Sequence, residues 1–360
     1  LIKSNSEFLL AWGWNDFFAQ QIQNSEFTIG RVIGEEKDRW RLQISAETAV
    51  WAELPGRYRY QSRSRMDFPS VGDWVLCQYE EHQSMALIQE VLERKSCLYR
   101  KAVGQGPAAQ ILASNVDYAF ILTSANADLN LARLERYVGL VWDSGAVPVI
   151  LITKSELADN LEENLSFLRA QFVGVDILAV SVKEKQNLEG LNRYLQLGKT
   201  LVFIGSSGVG KSTLTNFLLG RDVLITQEIR ESDDRGKHTT TARYLFSLEN
   251  GTCVIDTPGM RQLALMDQEE GFENLFSDFV ELENICRFND CQHRTEPGCA
   301  VLSALEEGTL DVERWERYQK LQRELRRKMQ IEDRVKRREE KEKMKKRQKE
   351  MYEHIKMKRR

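Results

Sequence analysis

Eight consecutive residues carry the clearest chemistry in this chain of 360. Gly205-Ser206-Ser207-Gly208-Val209-Gly210-Lys211-Ser212, followed by Thr213, fit the pattern G-x-x-x-x-G-K-[ST]. The glycines let the backbone curl until successive N–H groups point at phosphate oxygens. An apolar run, TLVFI, leads into the loop and a helical run, STLTNFLLG, leaves it. A helix start at that place adds a partial positive charge of about half a unit. Lys211 is expected to reach the β- and γ-phosphates, and the Ser212 hydroxyl to ligate Mg²⁺. Asp256-Thr257-Pro258-Gly259 closes a second apolar run, TCVI. There Asp256 can hold Mg²⁺ through water, and the Gly259 N–H can sense the γ-phosphate. Between the two motifs lies Arg235-Gly236-Lys237-His238-Thr239-Thr240-Thr241. Thr239 or Thr240 is expected to offer the second hydroxyl to Mg²⁺; both belong with the nucleotide, and Thr240 is placed at the metal.

A guanine-reading N-K-x-D ordinarily follows such a loop, and nothing after Gly259 resembles it. The nearest match comes earlier, at Thr153-Lys154-Ser155-Glu156, where the run PVILI ends. Ser181-Val182-Lys183 ends the run DILAV, where a second base-contacting loop belongs, with Ser181 and Val182 as its candidates. The order along the chain is therefore base, base, phosphate, switch, switch, as in a phosphate-loop sheet whose termini have been relocated. Lys154 is expected to lie along the base plane. Glu156 is expected to accept from the guanine N1–H and exocyclic amine, groups that adenine lacks there. A wrong base leaves those hydrogen bonds unmade, which is how discrimination arises. Two departures from the pattern stand out: Thr153 replaces Asn, and Glu156 replaces Asp, which extends the carboxylate by about 1.5 Å.

Cys286-x₄-Cys291-x-His293-x₅-Cys299 supplies three thiols and an imidazole. This set suits a closed, tetrahedral, structural Zn²⁺ site with no position left for a reacting water. Such a clasp holds a segment too small to build its own core. Cys77, Cys97 and Cys253 fall in or beside strands and read as core residues. Six cysteines in this length make no disulfide framework.

These motifs need elements to hold them. From about residue 100 the runs VDYAFILTS, PVILITKSEL, VDILAVSVK and TLVFIG alternate with helical stretches, as parallel strands buried on both faces do. ARYLFSLENGTCVIDTPG reads as a hairpin. Residues 28–95 instead contain five short β-rich runs with few helical signals, the pattern of a small closed barrel of OB type. Between two of those runs lies RYRYQSRSR, in which Arg57, Arg59, Arg63 and Arg65 alternate with Tyr58 and Tyr60. Guanidinium groups for phosphates beside aromatic faces for bases suit single-stranded RNA. Leu10, Trp14, Phe17 and Phe18 share one face of an expected N-terminal amphipathic helix that docks on a core. No run approaches the roughly 18 apolar residues that span a bilayer, and no cationic start precedes an apolar core. A cytoplasmic monomer without membrane contact is expected. The formal net charge of −3 conceals an asymmetry: residues 311–360 hold 21 Lys+Arg against 11 Asp+Glu. A basic tail on an acidic body points to a polyanion partner.

Taken together, the motifs resemble the circularly permuted GTPases of small-ribosomal-subunit biogenesis, the RsgA family. The resemblance rests on GDWV at 72–75, TKSEL at 153–157, GSSGVGKST at 205–213, RGKHTTT at 235–241, DTPG at 256–259 and the cysteine-rich segment 286–301. It implies a multidomain α/β protein with an N-terminal OB-fold barrel, a permuted P-loop GTPase domain and a C-terminal zinc-binding helical domain. The corresponding bounds are a helical extension at 1–27, the barrel at 28–97, the GTPase domain at 98–275, the zinc domain at 276–325 and a basic tail at 326–360. It further implies GTP and GDP, Mg²⁺ and one structural Zn²⁺ as ligands, and the 30S subunit with its 16S rRNA as partner. GTP hydrolysis stimulated by that subunit would be coupled to release of assembly factors. Met260 stands where many GTPases keep a water-orienting Gln. By resemblance His238 takes that task, beside Lys211 as the second catalytic group. A nucleotide-gated RNA chaperone with incidental hydrolysis and a permuted ATPase acting on nucleic acid are the competing readings.

Overall fold

The structure, a computed structural model, describes residues 6–22, 26–36, 38–62, 64–80, 85–101, 109–125, 129–220, 243–256, 275–323, 326 and 344. The chain divides into two compact units, Leu1–Ala264 with Glu269–Leu275, and Leu265–Gln268 with Phe276–Arg360.

The first unit begins with a barrel. β1 (Thr28–Glu36), β2 (Arg39–Gln43), β3 (Ala49–Glu53), β4 (Trp74–Gln78) and β5 (Met85–Val91) pair in the order β1-β2-β3-β5-β4, and a β1–β4 pairing closes the ring. Val32, Trp40, Leu42, Ala52, Val75 and Ile88 fill its interior. β4 is buried on both faces, because Trp74 and Leu76 point out of the barrel under the N-terminal segment. That segment is two short helices, α1 (Ser6–Ala11) and α2 (Asp16–Ala19), rather than the single helix its periodicity suggests. Gly13 breaks it at φ +88°, where a Cβ would meet the Gly198 carbonyl oxygen at 2.6 Å. Asn15 then restarts the helix by accepting from the Phe17 N–H at 3.0 Å. The break changes the buried face. Phe8, Leu9, Trp14 and Phe18 are inside, while Leu10 and Phe17 are 55% and 38% exposed.

A two-stranded ribbon, β6 (Cys97–Lys101) with β7 (Ala109–Ser114), follows the barrel; nothing in the sequence marks it out. The remaining strands are β8 (Tyr118–Ser124), β9 (Val147–Thr153), β10 (Asp176–Ala179), β11 (Thr200–Gly205), β12 (Arg243–Ser247) and β13 (Cys253–Asp256). They run β10-β9-β8-β11-β13-β12, all parallel except β12, which forms the expected hairpin with β13. Helices α4 (Leu131–Asp143) and α5 (Leu161–Gln171) connect the parallel strands, and α6 (Lys211–Leu219) follows β11. Chain order reverses between β8 and β11, the place at which open α/β sheets open a crevice beyond their strand ends.

Barrel and α/β sheet are one continuous sheet of eleven strands, joined where β12 pairs with β1 at Gly34↔Tyr244 and Glu35↔Arg243. The Tyr244 hydroxyl donates to Glu36 at 2.7 Å, and Arg243 donates to the Ile111 carbonyl at 2.6 Å. The GDWV segment proves to be part of this joint. Gly72 sits at φ +99°, and a Cβ there would lie 2.1 Å from the Ser114 carbonyl oxygen. Asp73, fully buried, accepts two bonds from Arg94 at 2.8 and 2.7 Å, while Arg94 also donates to the Met66 and Phe68 carbonyls.

The second unit contains α7 (Ser277–Asn284), α8 (Ala300–Glu306) and a helical stretch at 312–323. Its small core is aromatic: Phe276, Phe279, Trp315 and Tyr318 pack ring on ring, and the Arg314 guanidinium lies 4.6 Å from the Phe279 centroid.

Candidate nucleotide site and metal centre

The parallel strands bring the predicted nucleotide residues to one edge of the sheet. β9 ends in Thr153, β10 leads into Ser181 by way of Val180, β11 ends in Gly205, and β13 ends in Asp256. Gly205 (φ +153°) runs so close to β8 that a Cβ would meet the Leu122 carbonyl oxygen at 2.6 Å. Gly210 (φ +98°) caps α6, which places Lys211 and Ser212 in its first turn and Thr213 after them. The Lys211 ammonium folds back on its own loop, donating to the Gly205 carbonyl at 2.8 Å and the Ser206 carbonyl at 2.5 Å. Ser207, Gly208 and Val209 complete the turn, and Val209 buries its side chain in the core of the sheet.

Thr153 shows what a hydroxyl can do in place of the usual amide. It is 4% exposed, and its Oγ1 donates to the Val209 carbonyl at 2.7 Å and lies 3.3 Å from the Thr123 carbonyl. One side chain thus ties the base-reading strand to the phosphate loop, a link with no sequence signal beyond its position. Lys154 follows in the left-handed region at φ +54°, ψ +41°, an unfavourable conformation for a residue with a Cβ. The turn carries Ser155 and Glu156 into the crevice edge, where Ser155 Oγ and Glu156 Oε2 are buried and have no hydrogen-bond partner. An orphaned carboxylate oxygen is expensive unless a ligand donates to it. Guanine offers two adjacent N–H donors, so the residues present fit that base. In the neighbouring loop, Ser181 is fully buried; its Oγ accepts from the Glu184 N–H at 3.0 Å, and its backbone pairs with Gln186. Val182 packs against the core of the sheet. His238, Thr239, Thr240, Gly259, Met260 and Arg63 lie outside the described residues, as does the basic tail apart from Arg326 and Met344.

In the second unit Cys286, Cys291, His293 and Cys299 place their ligand atoms within 4.8 Å of one another. Cys286 Sγ is 3.9 Å from Cys299 Sγ and 3.7 Å from His293 Nδ1, which is 3.3 Å from Cys299 Sγ. Tetrahedral zinc with ordinary bond lengths requires about 3.8 Å between sulfurs and about 3.5 Å from sulfur to nitrogen. The donor set therefore fits zinc in both chemistry and spacing. Burial beside the Cys299 and Cys286 thiols pushes the Cys291 thiol up to about 11. His293 Nε2 faces Glu283 at 3.5 Å, the outer partner that fixes an imidazole's orientation at a metal. Glu296 accepts from the Arg294, Thr295 and Gln292 N–H groups, which lower its pKa to about 2 and fold the turn between His293 and Cys299. Burial instead holds the thiols of Cys77, Cys97 and Cys253 up at about 12, 11 and 11, as suits core cysteines.

The arginine-rich segment departs from expectation. Gly56–Gln61 is a helix, α3, whose turn directs Tyr58 inward. The half-buried Tyr58 ring packs on the barrel core and its hydroxyl donates to the Asp67 carbonyl at 2.9 Å. Tyr60 is 92% exposed, and Arg57 is exposed with it. Arg59 and Arg65 both turn towards Asp38, at 3.9 and 3.5 Å.

A family model described as RsgA GTPase matches residues 91–266. A small ribosomal subunit biogenesis GTPase RsgA 2 from Lactiplantibacillus plantarum is 46% identical over 297 residues, covering 82% of this chain and 83% of that protein. A small ribosomal subunit biogenesis GTPase RsgA from Methanosarcina acetivorans is 43% identical over 315 residues, covering 87% of this chain and 84% of its own length. The crystal structure of YjeQ from Thermotoga maritima superposes with a TM-score of 0.62 at 27% identity, covering 83% of this chain and 98% of that one. A second, titled YloQ, a circularly permuted GTPase, superposes at 0.60 and 27% identity, covering 85% and 97%.

Proposed function

This chain belongs to the RsgA family of GTPases, and from that premise we propose that it hydrolyses GTP during late maturation of the 30S ribosomal subunit, gripping rRNA and releasing assembly factors as it turns over. The observation that carries the nucleotide reading is the convergence of Thr153, Glu156 and the phosphate loop at the ends of β9 and β11, which flank β8. The buried Glu156 Oε2 awaits a donor there, and Thr153 is bonded to the Val209 carbonyl.

In this reading the Glu156 carboxylate accepts the guanine N1–H and amine, and the Lys154 stem covers the base. Ser181 and Val182 close the opposite side. On binding, the Lys211 ammonium exchanges the Gly205 and Ser206 carbonyls for β- and γ-phosphate oxygens, drawing negative charge to the loop N–H groups. Ser212, with Thr240 and Asp256, would hold a Mg²⁺ that neutralises charge on the transferred phosphoryl group. Gly259 senses the γ-phosphate. Methionine at 260 can neither orient nor polarise water, and by resemblance to the family His238 positions the attacking water. The zinc ligands Cys286, Cys291, His293 and Cys299 brace the second unit, whose aromatic core is small for independent folding. Tyr60, Arg57 and the basic residues 326–360 supply contacts to RNA bases and phosphates. The protein works in the cytoplasm, where its subunit partner is assembled.

The test is phosphate release from GTP and, separately, ATP at fixed salt, with and without purified small subunits. Stimulation confined to GTP is expected. Equal turnover of both nucleotides, indifferent to the subunit, would overturn both the base and the partner.

A further inference from the structure

The N-terminal ends of β8 and β11, remote along the strands from the phosphate loop, meet the barrel and the N-terminal helices around a cavity of about 200 Å³. Holding one water takes only about 10–15 Å³ of such volume, so a polyatomic ligand has room. Arg31, Lys95, Lys199 and Asp117 supply its charges, and Trp14 and Phe18 an apolar wall.

Arg31 is the unusual member. It is 1% exposed, yet its partners are neutral: the Trp12 carbonyl at 2.5 Å, Thr200 Oγ1 at 3.1 Å and the Asn115 carbonyl at 3.5 Å. Its Nε donates to nothing. Burial lowers its pKa, with Asp117 and Asp73 among the groups that oppose the shift. Trp74 lies beneath the guanidinium, 5.1 Å from its centre, and the Trp74 indole N–H is likewise buried without an acceptor. Nearby, Lys95 and Lys199 share a single carboxylate oxygen of Asp117 at 2.6 and 3.5 Å, while its other oxygen accepts the Thr200 N–H at 2.9 Å. Among the described lining residues three cations, Arg31 buried and the two lysines about one-third exposed, face one carboxylate, an excess of two positive charges. A buried cation without a counter-charge is strongly unfavourable.

We propose that this cavity is a second anion site, built for a phosphate dianion and separate from the nucleotide's phosphate loop. A dianion balances the excess, whereas a chloride or carboxylate leaves one charge uncompensated. The group is either inorganic phosphate or the terminal phosphate of an RNA strand.

The test uses the full chain loaded with GDP and Mg²⁺, so that the phosphate loop is filled. Equilibrium dialysis against radiolabelled inorganic phosphate, at constant ionic strength, is expected to show one saturable equivalent per chain. The Lys95→Gln/Lys199→Gln double variant removes two side chains about one-third exposed and should weaken that binding at least tenfold while leaving GDP affinity unchanged. Lys95→Gln alone should give an intermediate loss and serves if the double variant fails to hold GDP. Displacement by a 5′-phosphorylated but not a 5′-hydroxyl oligonucleotide identifies RNA as the source; no displacement by either identifies the free ion. Absence of saturable binding, equal binding by the variants, or equal competition by acetate overturns the proposal.

Discussion

Replacing Glu156 by Gln separates recognition from stability more sharply than any other change in this protein. Glu156 Oε2 is buried and accepts no hydrogen bond from the protein, so the amide removes no internal bond on that atom. Folding stability of the nucleotide-free chain should stay within about 0.5 kcal/mol or rise slightly, because a buried charge has been removed. Nucleotide binding should respond quite differently. The carboxylate is placed to accept two N–H bonds from guanine, and hydrogen bonds to a charged group are worth about 1.5–3 kcal/mol each. An amide oxygen can still accept one of the two, and its NH₂ opposes the other donor. The net loss is then about 1.5–3 kcal/mol, a rise in Kd of about 10- to 150-fold. Xanthine carries a carbonyl where guanine carries its amine, so the amide donor suits it, and the preference for guanine over xanthine nucleotides should invert. Fluorescent GDP and XDP titrations, run beside thermal unfolding of the nucleotide-free chain, read both quantities. Unchanged GDP affinity would refute the placement of the base, and a fall in stability equal to the fall in affinity would show that Glu156 is structural.

Three further outcomes follow from the same geometry. Thr153→Val deletes a hydroxyl 2.7 Å from the Val209 carbonyl and should weaken GDP and ADP by the same factor, since it loosens the phosphate loop and not the base contact. The buried carbonyl left unpaired should lower stability by about 1–3 kcal/mol in urea titration. Gly72→Ala forces a Cβ to within 2.1 Å of the Ser114 carbonyl oxygen at φ +99° and should destabilise the first unit by about 3 kcal/mol or more, with the zinc content unaffected. Zinc affinity should climb steeply with pH. Burial beside two other thiols holds the metal-free Cys291 thiol up at about 11, so at pH 6–8 zinc must expel its proton on binding. The sign is that metal-linked stability is present at high pH and lost on acidification. Proton release on zinc binding, measured with a pH indicator during titration, would confirm it; none would refute it.

The sequence disclosed what depends on local pattern. The phosphate loop, its flanking strand and helix, and the cysteine-histidine spacing each carry their meaning within a dozen residues. Relocation of the termini was legible from motif order alone. What escaped depends on contacts distant in the chain. The periodicity of residues 8–18 ran through Gly13, and only the approach of Gly198 explains why the helix must break there. Alternation says nothing about which way a six-residue helix turns its side chains, so the packing of Tyr58 on the barrel core escaped it. GDWV read as a mark of kinship; its reason is the joint formed by Gly72 on Ser114 and Asp73 on Arg94. Thr153 stood out as a departure, whereas its hydroxyl makes the bond that position requires.

The pairing of β12 with β1 has a consequence for how the molecule comes into being. The first barrel strand pairs early with β2 and, at Thr28–Arg31, with β4, but Glu36 and Tyr244 are 208 residues apart, so the Gly34–Glu35 end of one edge has no partner until much of the chain has been made. At about 5–20 residues per second, the wait is on the order of ten to forty seconds. During that interval the nascent barrel presents an unsatisfied strand edge of the kind that invites pairing with other chains. Glu35 and Glu36 lie on that edge, and charged side chains are a common device for discouraging such pairing. A protein devoted to assembling ribosomes thus carries, in its own synthesis, a timing problem that its edge charges help to contain.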